Sequence, residues 1–178
     1  MKNITSFTMA LLAITTQSAL ANDHSSGLTG AQVVATNTFQ GEQTDNIETD
    51  VSAFGLANNQ FSTVGKDIEF PDFITLYSVD ISADSIAFSW GSGDFAKQLS
   101  GPTPQGNHDR NYFVFNLPAG KRIAAVTLDK EASSLIEGSA MPTATVLAPN
   151  RIVTDFAAGV IRGKGFNPVF KITVEDKQ

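Results

Sequence analysis

The sequence predicts an all-β fold: a single antiparallel β-sandwich, with a β-barrel as the alternative closure and one short helix at most. Three observations carry this. Apolar and polar residues alternate with period two along 77–81 and again along 86–90, the spacing of strands with one buried face. Runs rich in β-branched and aromatic residues recur along the chain, separated by Gly, Pro and Asn turns. Only 130–138 reads as a helix, of about two turns.

The first 21 residues are set apart from the fold. Lys2 precedes an apolar run at 7–14, and Ala19-Leu20-Ala21 is a small-x-small cleavage site. That order predicts a secretory signal peptide cut between Ala21 and Asn22. The run is shorter than the about 20 residues needed to span a bilayer. With no Cys for a lipid and a charged end at Val174-Glu175-Asp176-Lys177-Gln178, no membrane anchor is expected. The predicted location is periplasmic or extracellular. Residues 22–31 are polar and Gly-rich and read as a flexible lead-in, and 32–178 as one β domain.

The elements follow in order. A β-branched run predicts a strand at 32–39, then an acidic loop at 41–50. The two alternating runs predict a hairpin turning at Ala83-Asp84. Residues 91–110, rich in Gly, Pro, Ser, Gln and Asn, predict a long loop, the kind of segment that carries function or moves. Strands at 112–117 and 123–128, joined by Pro118-Ala119-Gly120-Lys121, predict a second hairpin. Short strands are expected at 143–147, 151–156 and 169–174. Gly159, Gly163 and Gly165 predict a bulged or turning stretch around Val160-Ile161.

Composition limits function. The net charge is −6, and cleavage would remove Lys2 and make the chain more acidic, which disfavours nucleic acid and anionic membranes. The absence of Cys excludes disulfides, thiol catalysis and zinc–thiolate sites.

Candidate chemistry is local. A mature terminus Asn22-Asp23-His24 supplies an amine, two backbone amides and an imidazole, a square-planar set for Cu(II) or Ni(II); the plainer reading is a His at position three by chance. His108, Asp109 and Arg110 form the catalytic candidate: a general base or metal ligand, a neighbouring acid, and a cation for an anionic group. Successive residues of an extended segment face opposite ways, so His108 and Asp109 need not cooperate. The plainer reading is a solvated loop before a strand at Tyr112. A serine triad would need His108 or His24, and Gly91-Ser92-Gly93-Asp94 is not a nucleophile elbow. For calcium, Asp45, Glu48 and Asp50 share one loop and Glu69 and Asp72 another, without Asp-x-Asp-x-Asp-Gly spacing. Tyr77, Phe88, Trp90, Tyr112, Phe113 and Phe115 suit either a core or a ligand platform. Trp90, next to Gly91-Ser92-Gly93 at a strand end, is the aromatic expected to bind a ligand.

Residues 65–71 (Gly-Lys-Asp-Ile-Glu-Phe-Pro), 79–90 (Val-Asp-Ile-Ser-Ala-Asp-Ser-Ile-Ala-Phe-Ser-Trp) and 150–156 (Asn-Arg-Ile-Val-Thr-Asp-Phe), with a closing strand at 170–174, carry a resemblance over 63–174. The chain resembles a β-rich domain of exported bacterial proteins, including proteins with a PEP-CTERM sorting tail. That tail is missing here, so the resemblance implies no surface sorting, and it implies no reaction and no catalytic residues. The expected function is therefore an exported, non-enzymatic binding, adhesion or matrix-associated β-sandwich, its partner a glycan, a matrix component or another exported protein. One alternative is a small periplasmic or secreted enzyme with its site around 91–110. Another is a barrel-type carrier of an apolar ligand.

Overall fold

The 77–90 alternation folds as expected. Strands β4 (Tyr77–Ile81) and β5 (Ser85–Trp90) pair antiparallel, with Val79 opposite Phe88 and Ile81 opposite Ile86. Ser82 N–H donates to Ser85 O at 2.9 Å across Ala83-Asp84. Tyr77, Val79, Ile81, Ile86 and Phe88 are all buried. The computed structural model describes residues 27–40, 60–91, 96–97 and 99–177. The predicted signal peptide, Asn22, Asp23 and His24, and the acidic loop with Asp45, Glu48 and Asp50 lie outside them.

Two five-stranded antiparallel sheets face each other and do not close into a barrel. The first sheet takes β1 (Gln32–Gln40), β2 (Gln60–Thr63), β7 (His108–Asn116), β9 (Thr143–Ala148) and β10 (Arg151–Ala157), in the order β2-β1-β7-β10-β9. The second adds β3 (Phe70–Phe73), β8 (Lys121–Leu128) and β12 (Val169–Asp176), in the order β3-β4-β5-β12-β8. A ribbon of β6 (Gly101–Pro102) and β11 (Ile161–Arg162) lies apart from both sheets.

The core fills the space between the sheets. Phe88 from the second sheet meets Phe156 and Phe113 of the first edge-on, at centroid distances of 5.1 and 6.0 Å. Each such ring contributes about 1.5–3 kcal/mol by leaving water. In β8 the buried residues Ile123 and Val126 are three apart, because a bulge shifts the register between Thr173 and Val174 of β12.

Several expectations differ from the fold. Strands 112–117 and 123–128 are not a hairpin. β7 pairs with β1 and β10 on either side, while β8 pairs with β12 in the other sheet. The turn itself is present: Lys121 N–H donates to Pro118 O at 3.1 Å, with Gly120 at φ 81°. It carries the chain from one sheet to the other. Residues 130–138 are two turns, at 130–132 and 137–138, with a β-bridge at Ser134 between them. Asp129 Oδ1 accepts from the N–H groups of Glu131 and Ala132, and Ser133 N–H donates to Asp129 O, closing one helical turn. Ser134 then bridges to Asn167 in both directions, so no second helical turn forms. The lead-in is structured from Gly27 onward: Leu28 is fully buried, and its N–H donates to Ala83 O at 2.7 Å.

Candidate functional site

The catalytic candidates sit in strand β7, not in a loop before it, and the strand separates them. His108 and Arg110 lie on the face of the first sheet away from the core, His108 partly exposed and Arg110 buried at 1% exposure, and Asp109 lies on the core face. The acid beside His108 comes from β10: His108 Nδ1 lies 2.6 Å from Asp155 Oδ2. Register makes this pairing, since Asp155 stands opposite Arg110 and Ala157 opposite His108. Arg110 Nε donates to the same oxygen at 3.3 Å. A carboxylate on Nδ1 fixes the imidazole's orientation, as a general base requires. Among the described residues no hydroxyl is hydrogen-bonded to this histidine.

Asp109 belongs to a polar cluster at one end of the core. Arg162 Nη1 donates to Asp109 Oδ2 at 2.7 Å, and both side chains are buried. Asn37 Nδ2 donates to Asp109 Oδ1 at 2.7 Å and to Asn111 Oδ1 at 2.8 Å. The Tyr77 hydroxyl donates to Asn111 Oδ1, and Asn111 Nδ2 donates to Thr154 Oγ1 at 3.3 Å. Burial pushes the Asp109 carboxyl above its ordinary value, against the opposing pull of the Arg162 charge and the Asn37 hydrogen bond. Burial, then the nearby Asp109 charge, raises the Tyr77 hydroxyl well above its usual range. The void beside this cluster, lined by Phe39, Leu76 and Arg162 among others, is about 10 Å³. It has room for no ligand, only for about one water.

Trp90 lies where β5 ends, partly exposed. Its ring packs on Phe166 and Tyr77, and the Arg162 guanidinium stands 5.9 Å from its centroid. Gly91 lets the chain turn away there, since a Cβ would stand 2.9 Å from Leu76 O. Trp90 thus borders a 370 Å³ recess together with Gly91, Lys97, Ser100 and Lys164. His108 is not part of that recess. Tyr77, Phe88, Tyr112, Phe113 and Phe115 are buried and offer no platform.

Among the described residues the exposed aromatic is one that the strand pattern missed. Phe61, on edge strand β2, is 77% exposed. Register places it beside Val34, which in turn faces Val114, on the outer face of the first sheet. These residues line a 510 Å³ groove with Gln32, Asn116 and Asn150, and among the described residues no charged side chain lines it. A four-residue strand shows too little periodicity to be read from sequence.

The metal candidates fare differently. Asn22, Asp23 and His24 are outside the described residues. Glu69 spends both carboxylate oxygens on the backbone, accepting from Gly65 N–H at 2.8 Å and Ile81 N–H at 2.6 Å. Among the described residues no three His, Asp or Glu side chains converge as a metal site. Nor, among them, is any helix long and apolar enough to cross a membrane. Comparison with known protein families, characterised proteins and solved structures finds no match for this chain.

Proposed function

We propose that the chain is an exported, non-enzymatic binding module, a β-sandwich that presents a ligand groove on the outer face and edge of its first sheet. One observation carries this reading: Phe61 stands in solvent at the groove, next to Val34 and Val114. An aromatic held in water on an edge strand contributes nothing to the core and exposes the sheet to unwanted pairing, so its use lies in contact with a partner. The filled core argues against a carrier of an apolar ligand. Export rests on the signal-like residues 1–21 and on the likeness of 65–71, 79–90 and 150–156 to exported β domains. The partner class is a glycan, a matrix polymer or another exported protein.

A second reading has one observation in its favour. The 2.6 Å contact between His108 and Asp155 is that of an oriented base, as in a small secreted hydrolase. Co-sedimentation with insoluble polysaccharide and matrix fractions, alongside turnover of model esters and glycosides, separates the two. The module reading expects binding that Phe61→Ala abolishes and His108→Ala leaves intact. Turnover that disappears with His108→Ala or Asp155→Asn overturns it.

A further inference from the structure

We infer that the Phe61 groove takes a neutral glycan, an inference that rests on the binding-module reading and names its ligand class. The lining combines three features. One aromatic ring, Phe61, is open to solvent and offers a flat apolar face. Around it stand the carboxamides of Gln32 and Asn116 and the hydroxyl of Thr63, which stands opposite Gln32 on the same face, uncharged groups that both donate and accept. Val34 and Val114 form an apolar floor. A pyranose ring has the matching surface: a face of C–H groups to lie on the aromatic, and a rim of hydroxyls to pair with amides.

Charge and polarity narrow the choice further. The chain carries a net charge of −6, yet among the described residues no charged side chain lines the groove. An acidic polysaccharide would meet a repulsive protein with no cation among the described lining residues to hold it. A lipid tail would cover the amides and hydroxyls without pairing them, leaving buried polar groups unsatisfied. The 510 Å³ volume falls within the about 300–1,000 Å³ of small-ligand sites, so a short stretch of polymer fills it. The ring needs no induced ordering of a long side chain, which keeps the entropic cost of binding low.

The test is native affinity electrophoresis of the purified protein in gels containing hydroxyethyl cellulose, dextran or galactomannan as neutral polymers, and polygalacturonate or alginate as acidic ones. At least one neutral polymer is expected to retard the wild type. Phe61→Ala is expected to weaken that retardation at least tenfold, Asn116→Ala severalfold, and Phe61→Trp to retain it. Phe61 and Asn116 are exposed, so the variants should keep the wild-type circular dichroism and melting curve. Retardation by no neutral polymer overturns the glycan inference. So does neutral binding that Phe61→Ala leaves unchanged. If an acidic polymer or an apolar peptide binds instead and Phe61→Ala abolishes it, the glycan class falls and the module reading stands. If no ligand of any class depends on Phe61, both fall.

Discussion

Arg162 donates to Asp109 at 2.7 Å inside the protein, where neither side chain has meaningful access to water. The pair joins the β6–β11 ribbon, which carries Arg162, to the central strand β7. The guanidinium also lies over Phe39 and Trp90, at 5.6 and 5.9 Å from the ring centroids. Thus one cation closes the end of the sandwich through an ion pair and two aromatic faces. Asp109 is thereby committed to architecture, while the histidine one residue earlier takes its acid from β10.

Arg162→Met should cost about 3–5 kcal/mol in urea unfolding, because it leaves a buried carboxylate with hydrogen bonds but no counter-charge. Adding Asp109→Leu to that variant should recover most of the loss, since an apolar pair of similar volume removes the desolvation penalty of both ions. If the double variant is less stable than Arg162→Met alone, Asp109 stabilises the core chiefly through Asn37.

The Asp109 carboxyl has a raised pKa in the folded protein, against 3.8 ordinarily, so the native state binds this proton more tightly than the unfolded chain. Its contribution is therefore full below the unfolded pKa and is lost as pH rises through the folded pKa. The stability of wild type relative to Asp109→Asn should rise as pH falls from neutral toward 4. Paired urea titrations at several pH values measure this. A relative stability that falls toward acid would place the folded pKa below the ordinary value.

How much of this was legible in the sequence depended on the range of the contact. Period two placed Tyr77, Val79, Ile81, Ile86 and Phe88 in the core, because alternation is a property of each strand alone. The link from β7 to β8 was not legible: a four-residue connection at 117–120 can fold a hairpin or carry the chain to the facing sheet. Residues 130–138 have helix-compatible composition, yet Ser134 finds Asn167, a competitor remote in sequence. The separation of His108 from Asp109 could be read from strand geometry, but not their partners: Asp155 and Arg162 are 47 and 53 residues away. Phe61 gave only a lone aromatic in a polar stretch, and its exposure follows from its place at the sheet edge.

Glu69 should prove structural and not a calcium ligand. Its two oxygens accept N–H groups from Gly65 and Ile81, tying the β2–β3 connection to the end of β4. Glu69→Gln replaces one acceptor with a donor facing a donor, and should cost about 1.5–3 kcal/mol in urea unfolding. Millimolar calcium should leave the melting temperature of the wild type unchanged. A calcium-dependent rise that Glu69→Gln abolishes would return this loop to the metal candidates.

The turn between β3 and β4 should be the easiest place to stabilise the protein. Ile74 and Thr75 hold φ values of 51° and 60°, and Leu76 N–H donates to Phe73 O across them at 3.2 Å. Positive φ costs an L-residue roughly 1–2 kcal/mol, and β-branched side chains are the least suited to it. The two residues differ in what they return. Ile74 is 3% exposed and belongs to the core, whereas the Thr75 side chain points to solvent. Thr75→Gly should therefore raise stability by about 0.5–1 kcal/mol after the entropic cost of glycine, or roughly 2–4 °C per kcal/mol in melting temperature. Ile74→Gly relieves the same strain but empties a core position, and should destabilise by about 2 kcal/mol or more. Thermal melts of the two variants should move in opposite directions. A fall with Thr75→Gly would mean that the Thr75 side chain makes a stabilising contact outweighing its backbone strain.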